Sequence, residues 1–151
     1  MYTTLLPLHS IVRWLVLIML LISLYISFRG WKYNLAFTRT ANRIRHRTAT
    51  IAHIQFMLGM IIYFYSPVVK YAIPAQGNAL MSQHAFFKYL HISLMLLAIV
   101  LLTIGSAKAK RQAEATDQYK TILIWYTIAL TIILIAIPWP FSPLARRPLF
   151  R

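Results

Sequence analysis

The chain has no cysteine, and only two of its 151 residues are acidic, Glu114 and Asp117. Without cysteine there is no disulfide framework, thiolate zinc site, iron–sulfur cluster, cysteine nucleophile or covalently attached c-type haem. Against the two acids stand sixteen Lys and Arg, so 12% of the chain is charged. A soluble domain is about one-quarter charged, and a compact domain of this composition has too little polar surface to dissolve. Disorder requires low hydrophobicity, whereas 60% of this chain is hydrophobic. The length suits a single domain, 1–151. A net charge of +14 ordinarily raises nucleic acid as a partner, so the placement of the charges matters.

Residues 14–28, 48–69, 89–107 and 121–145 contain no Asp, Glu, Lys or Arg. A membrane-spanning helix needs about 20 mostly apolar residues. Extended slightly, these gaps give four spans, 4–28, 46–66, 84–106 and 119–138. Each is apolar on every face, as a helix in lipid must be. Four soluble core helices would have almost no polar chain to cover them. The first span lacks a basic start and a small-residue cleavage site, so it reads as a retained helix. The expected fold is an all-α antiparallel four-helix transmembrane bundle.

Loop charge sets the expected orientation. Arg29, Lys32, Arg39, Arg43, Arg45 and Arg47 fall in the first loop, and Lys108, Lys110, Arg111 and Lys120 in or beside the third. The second loop has Lys70 alone. The positive-inside rule places loops 29–47 and 107–119 in the cytoplasm and both termini outside, as in a bacterial inner membrane. Arg146, Arg147 and Arg151 in the tail oppose this weakly. Pro138, Pro140 and Pro143 stop the fourth helix, and Trp139 and Phe141 suit the outer aromatic belt. Pro67, Pro74 and Gly77 punctuate a second loop lying along the outer surface. The basic run around His46 fits anionic lipid headgroups, and nothing in so short a loop resembles a nucleic-acid-reading element.

Ionisable residues inside a membrane mark function by default. On the first span His9 and Arg13 share a face, with Trp14 adjacent. On the third, His84, Lys88, His91 and Met95 fall at i, i+4, i+7 and i+11, one helical stripe. His53 on the second shares a face with Met57 and Met60, and Gln55 points elsewhere. From the helical rise, His9 lies about 6 Å deep, His91 about 10 Å and His53 about 18 Å. His9 and His91 are therefore nearly level.

Zinc or copper would usually need further protein ligands, which this half of the chain does not offer. Haem needs only two axial ligands, and apolar helix walls suit its macrocycle. Haem b with His9 and His91 on the iron is the leading expectation, with His53 as alternative ligand. Arg13 and Lys88 find no acid at their level, so propionates would supply the missing negative charge. A quinone carbonyl, a lipid phosphate or a partner's carboxylate would serve as well. Several readings give these residues no such role: Arg13 and Lys88 snorkelling to headgroups, His84 sitting at the interface, His53 only bonding a neighbouring helix, and the methionines packing.

The pieces "LHSIVRW", "HIQFMLGMIIYFYSP", "LLTIGSAKAKR" and "IPWPF" resemble a family of small four-span membrane proteins commonly labelled cytochrome B. The resemblance covers nearly the whole chain. It implies haem b and electron transfer, and points to His9, Arg13, His53 and His91. A looser resemblance is to the HemJ-type protoporphyrinogen oxidases, although the longer motif that follows their first-helix histidine is missing here. The expected function is electron transfer between haem and a quinol or redox partner, with His53 and Gln55 available to a second haem or a quinone. A non-catalytic accessory subunit of a larger membrane complex and a HemJ-like porphyrin or quinone oxidoreductase are the alternatives.

Overall fold

A computed structural model describes residues 2–71 and 80–144. Helix α1 is Tyr2–Lys32 and α2 is Arg39–Tyr65, with a short α3, Pro67–Lys70, after it. Gln83–Ala85 (α4), a π-helical segment Phe86–His91 and Ile92–Arg111 (α5) run on as one rod of 29 residues. Helix α6, Ala115–Ala136, completes the set. Four of these rods are long and apolar enough to cross a membrane. Expectations for Pro74, Gly77, Arg146, Arg147 and Arg151 fall outside the described residues.

Paired residues fix the register. Thr48 donates to the Met19 carbonyl at 3.2 Å and Gln55 to that of His9 at 2.9 Å, so α1 and α2 run antiparallel. Tyr119 lies over Gly30 while Trp14 meets Trp139, which sets α6 antiparallel to α1. Arg45 bonds Ser106 and His53 meets Thr103, setting α2 against α5; Trp125 on Gly105 and His91 on Ala136 set α5 against α6. The result is an all-α antiparallel bundle. α2 and α5 pack least closely of the neighbouring pairs.

The interior mixes large side chains, such as Leu20, Phe86, Leu102, Ile122 and Tyr126, with many small ones. Ser10, Ser23, Ser27, Thr48, Ala52, Ala98, Ser106, Ala109, Ala129 and Ala136 are buried. Large apolar side chains such as Ile18, Leu21, Tyr25, Ile54, Phe64, Leu97 and Ile128 point outward. In water this surface would be a continuous apolar patch. In lipid it is the expected arrangement, because helices there associate through close backbone approach at small residues. The chain has an integral membrane architecture with a lipid-contacting surface.

The helices overrun the expected spans at the basic end. α1 continues to Lys32, α2 begins at Arg39, α5 runs to Arg111 and α6 begins at Ala115. The connections are therefore 33–38 and 112–114 rather than 29–47 and 107–119. Arg, Lys and Ala are good helix formers, so the helix does not stop where its apolar stretch does. Asn34, at φ 50°, makes the first turn, with the Leu35 N–H returning to the Gly30 carbonyl at 3.0 Å. Thr38 caps α2 by accepting from the Ala41 N–H at 3.1 Å.

Arg45 is the largest correction at this end. It is not a loop charge but a buried residue of α2. Its guanidinium donates to the Ser106 carbonyl at 2.8 Å, to the Ser106 hydroxyl and to Asn42 Oδ1 at 2.8 Å. The Tyr126 hydroxyl donates to the Arg45 carbonyl at 2.9 Å. One residue thus joins α2, α5 and α6.

Packing leaves no room for a side chain at Gly105, against Trp125 Cβ, or at Gly30. A Cβ at Gly30 would stand 2.3 Å from the Tyr119 ring, whose hydroxyl is held by the Ala36 carbonyl at 3.0 Å. Gly30→Ala should destabilise the bundle by about 1–3 kcal/mol, read as a lower thermal midpoint in detergent; an unchanged midpoint would show that the ring can move aside.

Candidate functional site

The end of α6 prepares the site. In a continuous helix the carbonyls of Leu134 and Ala136 would accept from the N–H groups of residues 138 and 140. Both positions are proline, which has no N–H. α6 therefore stops at Ala136, two residues short of the expected 138, with two carbonyls released near its end. The Trp139 indole takes the Leu134 carbonyl at 2.8 Å. His91 Nδ1 takes that of Ala136 at 2.8 Å. A carbonyl can only accept, so in the neutral ring the proton sits on Nδ1 and Nε2 carries the free lone pair.

The π-helical segment delivers His91 to this position. A π turn holds more residues than an α turn, so the stripe expected from 84, 88, 91 and 95 is broken. His84 turns to α3 and meets the Val68 carbonyl at 2.9 Å. The Lys88 ammonium sits over the Tyr89 ring, 5.5 Å from its centroid. His91 faces inward, with the rings of Phe86 and Phe87 at 5.9 and 5.6 Å.

His91 lines a cavity of about 180 Å³ near the end of the bundle that carries the N-terminus. His9, Arg13, Gln55, Met60 and Met95 line it too. Its α1 and α6 wall is largely closed, with Ser10, Val16, Ile133, Ile137 and Pro138 buried. Its α2 and α5 wall is half-exposed at Phe56, Met60, Tyr63, Ile92, Met95 and Ile99. The opening therefore faces sideways through the loose seam between α2 and α5.

His9 sits against Gly59. A Cβ at Gly59 would stand 3.2 Å from His9 Cε1 and 3.8 Å from Nδ1, so the Nδ1–Cε1 edge of the ring faces α2. His9 Nδ1 and Gln55 Oε1 are buried without a hydrogen-bond partner among the described residues. Each such orphan costs about 1–3 kcal/mol. Arg13 stacks on Trp14, its guanidinium 5.7 Å from the ring centroid, and Trp14 meets Trp139 edge-on at 6.1 Å.

The structure thus brings together His9, Arg13 and His91, and leaves Lys88 and His53 outside the cavity. His53 is exposed on the α2–α5 seam, its Nδ1 at 2.6 Å from the Ala49 carbonyl and its Nε2 at 3.1 Å from the Thr103 hydroxyl. Met57 points outward, whereas Met60 and Met95 face the cavity. Gly59 and Ala136 are site residues that helix faces alone did not single out, and Gln55, expected beside His53, belongs with His9 instead. The spacing of Pro138 and Pro140 carried a readable signal for the freed carbonyls. Among the described residues no three His or carboxylate side chains converge, so this chain offers a pair of imidazoles rather than a complete zinc-type ligand set. Comparison with protein-family models, curated proteins and solved structures finds no match for the chain.

The hydrogen bond to Ala136 can be tested alone. ¹⁵N spectra of histidine-labelled protein should show His91 protonated on Nδ1. Pro138→Ala combined with Pro140→Ala, which lets α6 continue and brings the residue-140 N–H to the Ala136 carbonyl, should shift that signal towards the Nε2-protonated form. An Nε2-protonated His91 in the unsubstituted protein would contradict the assignment.

Proposed function

We propose that this chain is a membrane haem protein, cytochrome-b-like in kind, that binds haem b between His9 and His91 and passes electrons to or from a quinol or a redox partner. The observation that carries the reading is the pair of imidazoles on one apolar cavity, with His91 held by Ala136 so that its Nε2 is free. Metal-ligating histidines characteristically give their other ring N–H to a carbonyl in this way.

The donor set fits the group. Two neutral imidazoles, Met60 and Met95, and an apolar lining suit an iron macrocycle. The orphaned Nδ1 of His9 and the bare α2 backbone at Gly59 leave the second imidazole room to lie in the wall. The enclosed volume is below the roughly 300–1,000 Å³ of ligand pockets, so the macrocycle would extend into the lateral opening. Bound haem supplies one-electron chemistry. The residues that would hold it are His9 and His91 as ligands, with Arg13 to neutralise its acidic substituents. The closed α1 and α6 wall keeps water away. Lys88 is left at the rim, and His53 as a tie between α2 and α5. The same reading keeps the basic end, with its loops, in the cytoplasm of a bacterial inner membrane and both termini outside.

The reduced-minus-oxidised absorption spectrum of protein purified from haem-sufficient cells tests this. It should show a b-type band that His9→Ala and His91→Ala each remove. His84→Ala and His53→Ala should leave it, because neither histidine lines the cavity. No band in the unsubstituted protein, or a band surviving the loss of His91, overturns the proposal.

A further inference from the structure

Gln55 donates its amide Nε2 to the backbone carbonyl of His9 at 2.9 Å. That carbonyl can only accept, which fixes the amide nitrogen towards it and turns Oε1 away. Gln55 lines the cavity, and its Oε1 is buried without a partner among the described residues. The His9 imidazole presents its Nδ1–Cε1 edge to α2 at Gly59. Gln55 is one helical turn before Gly59, on the same face of α2. His9 Nδ1 is likewise buried without a partner among the described residues. An orphaned acceptor and an orphaned ring nitrogen therefore belong to two residues already tied together by one bond, from the Gln55 amide to the His9 backbone.

We propose that Gln55 is the positioning residue of His9, its Oε1 accepting the Nδ1 proton when Nε2 ligates a haem iron. The inference rests on the haem reading. Ligation through Nε2 places the proton on Nδ1, and that N–H then needs an acceptor. One proton satisfies both orphans. The two ligands are then held alike, His91 by the Ala136 carbonyl and His9 by the Gln55 carbonyl. Both acceptors are neutral, as suits a site far from either carboxylate of the chain. An acceptor on the distal nitrogen makes the imidazole a stronger donor to the metal and favours the oxidised iron.

The test is the midpoint potential of the haem in Gln55→Leu and Gln55→Glu, the latter read on the alkaline side where its carboxyl is ionised. Both variants lose the Nε2 bond to the His9 backbone, so a purely structural role moves both potentials the same way or not at all. The proposal predicts opposite shifts with haem retained: upward in Gln55→Leu, where the acceptor is gone, and downward in Gln55→Glu, where it is charged. Shifts of one sign, or none, overturn it while leaving the haem reading intact. Gln55→Met is the second apolar variant. Haem lost from both apolar variants but kept by Gln55→Glu supports the proposal. Haem lost from all three overturns it in favour of a structural role. Absence of haem from the unsubstituted protein overturns the haem reading itself.

Discussion

The hydrogen bond from His91 Nδ1 to the Ala136 carbonyl is the interaction on which the site depends. It exists because α6 ends in a segment that cannot supply its own donors. Pro138 and Pro140 stand where the N–H groups for Leu134 and Ala136 would have been. Carbonyls freed in an apolar setting must find donors. Trp139 and His91 provide them. A helix stop thereby becomes an orientation device, and the imidazole is turned so that its other nitrogen is available.

The rest of the bundle accommodates this arrangement. Small buried residues bring the helices close, and large apolar ones face lipid. At the basic end Arg45 ties α2, α5 and α6 together through neutral oxygens. Nearer the N-terminus α2 and α5 are looser, and the cavity opens between them. The bundle is tightly joined at one end and accessible from the membrane at the other.

The four spans were legible because charge is excluded from them for a plain solvation reason, and the antiparallel order follows from short connections. Helical rise alone put His9 and His91 near one another in the sequence reading, and both line one cavity in the fold. The stripe His84–Lys88–His91 was not, because it assumed 3.6 residues per turn through a π-helical segment. The burial of Arg45 was hidden by its basic neighbours: charge counting cannot separate a solvated arginine from one whose partners lie far along the chain. Gln55 was assigned to another face. Its relation to His9 depends on a contact between residues 46 positions apart, which no local pattern encodes.

The most direct measurement is the low-temperature EPR spectrum of oxidised, haem-loaded protein carrying His53→Leu and His84→Leu. Besides His46, at the basic end of α2, only His9 and His91 then remain. Ligation by that pair predicts a low-spin ferric signal of the bis-imidazole type. A high-spin signal, or a protein that takes up no haem in this background, would contradict the account.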